Sequence, residues 1–486
     1  MYKSATPMKM IKGLMPGSKI FIKLNYMKKC FLVNFFILLF ITAAFSQNED
    51  SIMIKKISDD ILLNGKAYAN LYTLCKNVGP RLSGSAGMYK AEAWGLKTLK
   101  EAGAEKVYLQ QCVVPHWVRG EKEIASFSSK DDPVTLLFNV LAIGNSVGTG
   151  NTGITAPVIE IKNFDELNAR QNEIKGKIVF YNYPFNKTLL RGGYGDAVRY
   201  RGSGASAAAK YGASAVIVRS VTAAFDDNPH TGALRYNDSF PKIPAVAIST
   251  KDAERLSSYL KNEYKKEKLF LRTNCKMLED TIAHNVIGEI KGSEFPDEII
   301  TIGGHLDSWD PAEGASDDGT GIVQSIEILR VFKTLGYKPK HTIRIVLFAN
   351  EENGGAGATK YAEEAKQKNE NHIMAMESDG GAEYPRGFSC GMTKQQFAKV
   401  DGWRKYFERL DADAFLFTEG GKGGADIGPL QTYFKTPQFG LITTGQRYFD
   451  VHHAATDVFE NVNAQELNLG AAVMAIMVFL VDKNKL

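Results

Sequence analysis

Apolar residues recur with helical spacing at Ile52, Ile54, Ile57, Ile61 and Leu62, and again at Tyr68, Leu71 and Leu74. The run Gly79-Pro80-Arg81-Leu82-Ser83-Gly84-Ser85 breaks that pattern as a loop. Residues 89–102 resume it and stop at Gly103, a natural helix-ending glycine, and residues 107–114 then alternate like a strand. From about 131 to 278 the character changes. Short β-like runs at 156–161, 177–181, 215–218 and 245–248 are separated by glycine-rich turns and short helices such as 205–211. Beyond Ile282 the pattern becomes strand–helix alternation. Residues 286–290 and 299–302 read as a pair of strands joined through Gly292 and Pro296, and 319–335 as an amphipathic helix. Residues 342–349 are apolar almost throughout, as in a strand buried on both faces. A helix at 356–367 and strands at 373–376 and 439–442 follow. The apolar stretch 467–481 is short for a membrane span and predicts a packed C-terminal helix. The whole predicts an α/β fold, a mainly parallel mixed sheet with helices on both faces, interrupted by an inserted α/β domain. Its parts are 47–130 and 279–486 for the main domain and 131–278 for the insert.

Charge alters the picture only at the N-terminus. The 486-residue chain has a formal net charge of +5, but residues 1–46 carry seven lysines and no acidic residue, so the remainder is nearly neutral. A nucleic-acid partner is therefore not expected. The segment itself reads as a cleaved signal peptide: Lys28-Lys29, an apolar core at 31–45, and Ala44-Phe45-Ser46 as the cleavage site before Gln47. Met27 offers a start that gives a basic region of ordinary length, and Cys30 precedes the apolar core, so it is not placed for lipidation. The expectation is an exported protein, periplasmic or extracellular, free of the membrane after cleavage. Cys75, Cys112, Cys275 and Cys390 are widely spaced, which permits disulfides and equally permits buried thiols. Residues 202–207 superficially resemble a dinucleotide-binding glycine run. No strand precedes them and no acid follows at the required distance, so they read as a helix start.

Candidate chemistry gathers where the predicted strands end. His305 and Asp307 follow the strand at 299–302, with Asp317 in a glycine-rich loop just before the next helix. Glu351 and Glu352 follow 342–349, Asp379 follows 373–376, and His452 and His453 come one loop after 439–442. Each piece alone has a plainer explanation, such as a hydrogen-bonded surface pair, a helix-start acid or a turn aspartate. Together they would crowd carboxylates and imidazoles into one cleft beyond the carboxyl ends of a parallel sheet, where ligands bind. Divalent cations would neutralise them, and the mixed nitrogen and oxygen donors suit zinc.

The segments GGHLDS, GASDDGTG, NEE, ESDGG and HHAATD, in that order, resemble the di-zinc exopeptidases that include secreted bacterial aminopeptidases and glutamate carboxypeptidases. VGPRLSGSAG, VVPHWVRG and the insert extend the likeness over nearly all of the mature chain. The resemblance implies that the insert is a protease-associated domain and that two zinc ions are the cofactors. It implies that His305 and Asp379 bind one ion, Glu352 and His453 the other, and that Asp317 bridges them. Asp318 falls one place past the bridge. Glu351 would be the general base toward a water activated between the ions, and Asp307 would orient His305 through its carboxylate. In the family motif the histidine stands four residues before an aspartate, so Asp457 selects His453 over His452; Val458 replaces the family threonine. The implied substrates are small peptides, dipeptides foremost, with carboxypeptidase, dipeptidase and aminopeptidase preferences all open. A cyclase or amidohydrolase with the same metal core and an inactive binding protein are the remaining alternatives. Residues 420–426 and 447–449 are candidate pocket loops, Arg447 and Tyr448 candidate substrate contacts, and a homodimer is a family habit.

Overall fold

The computed structural model describes residues 49–127, 136–189, 191–261 and 268–486. The signal-like segment 1–46 lies outside them. The chain divides into units of residues 1–56 and 57–486, and the described residues of the first, 49–56, are helical. Everything below concerns the second.

Its central sheet has eight strands: β1 (Lys106–Val114), β2 (Thr281–Ile290), β3 (Phe295–His305), β4 (His341–Phe348), β5 (Asn371–Glu377), β6 (Pro385–Met392), β7 (Ala414–Glu419) and β8 (Gln438–Thr443). Their spatial order is β1-β2-β4-β3-β5-β8-β6-β7. β4, β3, β5 and β8 run parallel to one another, while β1, β2 and β6 join antiparallel. β4 takes the place its composition demands: all eight residues are buried. That corrects one sequence expectation. β2 and β3 are not partners, because β4 lies between them and pairs with both. A strand apolar on both faces gains most from a central slot flanked on each side. β6 and β7 escaped the sequence pattern, since PRGFSCGM and AFLFTE carry little alternation.

Helices cover both faces. α1 (Ala67–Thr73), α2 (Ala86–Ala102), α3 (Thr320–Thr334) and α6 (Ala464–Asn484) pack together on one side. α2 starts three residues earlier than its apolar pattern suggests, because the Ser85 side chain accepts a hydrogen bond from the Met88 amide and caps it. It lies close to the sheet at Gly95, where a Cβ would come within 2.9 Å of Leu347. On the opposite face α4 (Ala356–Gln367) and α5 (Gly428–Phe434) bury Tyr361, Ala362 and Leu430 against Ile287, Val346 and Phe348. α6 is long and apolar enough to cross a membrane by length and composition alone. Residues 469–482 are all buried within the protein, as a core helix requires.

Between β1 and β2 the chain builds two larger sheets, besides a two-stranded pairing of Trp117–Val118 with Lys276–Met277. One has five strands in the order Val140–Ala142, Ala245–Ile248, Ala215–Arg219, Ile178–Tyr181, Val158–Ile161; the other pairs Ile124–Phe127 with Leu136–Phe138 and Leu269–Arg272. A shared core, including Phe127, Leu271, Phe180 and Ile217, lies between them. A helix, Arg191–Ala209, covers the outer face of the larger sheet through Tyr200, Ala205 and Ala208. It runs through residues 202–207, which are therefore helix interior and not a helix start. Gly204 is needed there because a Cβ would stand 2.8 Å from the Tyr181 ring. The four cysteines Cys75, Cys112, Cys275 and Cys390 are free and buried.

Candidate metal centre

The four parallel strands deliver their carboxyl ends to one edge. β3 ends on His305 itself. β4 turns through Asn350, with φ of 68°, into Glu351 and Glu352; β5 leads to Asp379; β8 leads through a short helix to His452 and His453. The loop from His305 to Asp317 is fixed from two sides. The buried Arg81 guanidinium donates to the carbonyl oxygens of Leu306, Glu313 and Gly314. The Asp457 carboxylate accepts from the amides of Ser316 and Asp317 at 2.7 and 3.1 Å.

Asp317 sits at the middle. One of its oxygens lies 3.0 Å from Nε2 of His305 and the other 3.0 Å from Nε2 of His453. The same His453 nitrogen is 3.0 Å from Glu352 Oε2, and His305 Nε2 is 3.8 Å from Asp379 Oδ1. His452 stacks on His453 with ring centroids 3.6 Å apart, and its Nε2 lies 3.4 Å from Asp317. Asp318, adjacent to the bridge, is turned to the main chain and accepts from the amides of His305 and Gly321.

The structure corrects the expected role of Asp307. The Nδ1–H of His305 goes to the Asp307 main-chain carbonyl at 2.9 Å, whereas the carboxylate is 3.9 Å away. That carboxylate instead accepts from the amides of Glu351 and Glu352 at 3.0 and 3.3 Å. A carbonyl close to the ring is the better acceptor for one proton, which leaves the carboxylate for the two amides of the turn after β4. Arg447 is likewise drawn elsewhere, to Glu466 at 2.5 Å, and borders a separate small hollow. Tyr448 packs on Gly380 and points its hydroxyl toward Asp379, 3.5 Å away.

The donor set fits metal ions. With Nδ1 of His305 committed to a carbonyl, its neutral ring would present a bare lone pair at Nε2 to a carboxylate oxygen 3.0 Å away, which is repulsive unless a cation lies between. Protons fill that need when nothing else does. Burial works against charging His453, yet Glu352 and Asp317 raise it to about 10, and Asp317 itself is held well below the usual carboxylate range by the two imidazoles. Burial pushes Glu351 up to about 8 and Glu352 to about 7. Buried carboxylates and imidazoles so arranged are a cation site by composition. His305, Asp317 and Glu352 offer ligand atoms within 4.8 Å of one another, as do Asp317, His452 and His453.

The centre floors a cleft of about 730 Å³. Glu351, Glu352, Asp379 and Tyr448 line it from the sheet edge, Gly423 and Gly424 from the 420–426 loop, and Tyr194, Arg201 and Arg235 from the inserted region. Arg81, the carboxylate function of Asp307 and the arginines of the insert were not identified from the sequence as part of the site. Arg81 lies in a segment noticed there only as a loop, and nothing in its spacing indicates which carbonyls it meets.

Residues 285–478 match the model of peptidase family M28, and residues 145–256 match the PA domain. Carboxypeptidase Q of Homo sapiens is 36% identical over 416 residues, covering 86% of this chain and 85% of that protein. The crystal structure of a peptidase M28 precursor from Shewanella amazonensis SB2B superposes with a TM-score of 0.85 at 32% identity, over 90% of this chain and 98% of that one. BSAP, a zinc aminopeptidase from Bacillus subtilis, has the same fold, with a TM-score of 0.62 at 21% identity over 86% and 95% of the two chains.

Proposed function

The chain belongs to peptidase family M28 and is a metallopeptidase; from that premise we propose that it is an exported, zinc-dependent exopeptidase of small peptides, dipeptides foremost, working with two ions. His305 and Asp379 hold one, Glu352 and His453 the other, and Asp317 serves both. The observation that carries this reading is Asp317, whose two carboxylate oxygens each face a different imidazole Nε2 at 3.0 Å, so that this one side chain would be shared by both halves of the donor set. Export is suggested by the basic and apolar segment before Gln47. A homodimer is part of the same proposal; nucleic acid is not.

Zinc bound there supplies Lewis acidity, acidifying water and polarising the peptide carbonyl. Glu351 accepts the proton of the attacking water and returns it to the leaving amine. Its place is set by the main-chain hydrogen bond to Asp307. Tyr448, whose phenol burial keeps protonated, offers a hydroxyl to the substrate at the rim of the cleft. The cleft is of a size for a small peptide and is walled on one side by Tyr194, Arg201 and Arg235 of the inserted region, which supports a preference for chain ends over internal bonds.

The test is Glu351→Gln. Metal analysis is expected to find zinc undiminished while dipeptide turnover falls by about a thousandfold or more. A variant that remains active removes Glu351 as the base. A panel of unblocked, N-blocked and C-blocked dipeptides, with chelation and zinc restoration as the control, reads the end preference. Cleavage of intact proteins at internal bonds would overturn the exopeptidase reading.

A further inference from the structure

The two central imidazoles are backed by opposite charges. Behind His305 stand the Asp307 carbonyl, the Asp307 carboxylate 3.9 Å from Nδ1, and Asp318, which accepts from the His305 amide at 3.2 Å. Behind His453 stands a cation. Nη1 of Arg201 is 3.3 Å from His453 Nδ1, and the Thr231 carbonyl is 3.3 Å from the same nitrogen. Arg201 belongs to the helix Arg191–Ala209 of the inserted region and is only 7% exposed.

This arginine has no carboxylate to answer it. Nη1 donates to the Thr231 carbonyl at 3.1 Å and Nη2 to the Tyr194 hydroxyl at 2.8 Å, while Nε is buried without a partner. Among the described residues it forms no ion pair. Gly232, at φ 126°, admits it, since a Cβ there would stand 2.4 Å from the guanidinium carbon. Burying an unpaired charge is costly, and a fold that keeps one has placed it against something. A guanidinium cannot accept the Nδ1 proton of His453. With the His453 Nε2 lone pair turned to an ion, Nδ1 would carry the ring proton, and it and Arg201 would then both donate to the Thr231 carbonyl. A metal-binding histidine is ordinarily made more basic by the group behind it. Here a fixed positive charge does the reverse.

We propose that Arg201 makes the Glu352–His453 position the weaker of the two zinc positions, so that the inserted domain sets how much free zinc is needed to seat the second ion. This rests on the reading above that those residues hold zinc. At an effective dielectric of about 20, a buried charge this near shifts binding by about ten- to a hundredfold.

The experiment is zinc titration of the metal-free full-length protein against a chromophoric competing chelator, repeated with Co²⁺ followed by its visible absorption. The wild type is expected to fill in two steps separated by at least about tenfold. Arg201→Met should tighten the weaker step by about tenfold or more, and Arg201→Lys should preserve the separation. Arg201→Gln serves if the methionine variant does not fold. His453→Ala should abolish the weaker step alone. Equal steps in the wild type, unchanged constants in Arg201→Met, or loss of the tighter step in His453→Ala would overturn the proposal. Retention of both zincs by His453→Ala would instead overturn the assignment of the ligands.

Discussion

At Asp307 the main chain and the side chain do separate jobs: the carbonyl fixes the imidazole of His305 and the carboxylate fixes the turn that bears Glu351 and Glu352. Two charge-assisted hydrogen bonds of about 1.5–3 kcal/mol each hold that turn. Asp307→Ala is therefore expected to lower kcat by about a hundredfold or more with little change at the ion held by His305. Steady-state kinetics beside metal analysis checks this; loss of that ion with kcat per bound zinc intact would show the carboxylate acting on His305 after all. His305, Asp307, Glu351, Glu352 and Asp379 were noticed because each stands at or within a few positions of a strand end, whereas Asp317 and His453 lie a loop further on and were picked out by the resemblance of their motifs. Which atom of Asp307 meets which partner was not, since spacing carries no information about main-chain against side-chain acceptors. Arg201 was invisible for a different reason. It comes from a helix about 250 residues away from His453, in a region whose sequence holds few catalytic groups.

The elements around the centre are held by buried arginines as much as by apolar packing. Arg81 ties three carbonyls of the metal loop, so Arg81→Met leaves those acceptors buried without donors. Urea unfolding should show a loss of about 3 kcal/mol or more, with weaker zinc binding. At the far end of the sheet Arg344 on β4 pairs with Glu289 and Glu370. Burial disfavours a charged Glu370, but its bonds to His372 and Arg344 draw it down to about 2. Burial holds His372 below its usual range, so Arg344 is the standing cation. A depressed carboxyl stabilises the fold above its unfolded value of about 4.5, and the contribution fades as pH falls toward about 2. Glu370→Gln should remove on the order of 1–2 kcal/mol at neutral pH and flatten the acid limb of the stability profile. Unfolding measured from pH 2 to 7 checks both. Strand positions were legible wherever composition was extreme, as in β4. Their order was not, because the apolar run that marks β4 as central does not say which two strands it separates.

For the molecule as a whole, ions at Asp317 would link segments that are otherwise far apart in the chain. A ligand present at about a hundred times its dissociation constant adds about 2.7 kcal/mol. Chelation is accordingly expected to lower the melting temperature and to raise hydrogen exchange at 305–317, 351–352 and 450–457, while the five-stranded sheet of the insert stays protected. Uniform loosening would mean that the centre is not the shared fastening point. The division into two regions was legible from the change of composition. The contact between them was not, because it consists of single residues such as Arg201 and Trp309, whose ring occupies the space a Cβ on Gly144 would need. The strand order also has a bearing on biosynthesis. Every strand of the insert's two larger sheets finds its partners within residues 124–272, so their hydrogen bonding can be completed while the C-terminal half is still being made. β1 has to wait for β2, and β3, with His305 at its tip, has no neighbour until residues 341–348 arrive. A nascent chain arrested before residue 341 would therefore carry a finished insert and an open, unpaired His305 strand, the stage at which a chaperone has most to protect.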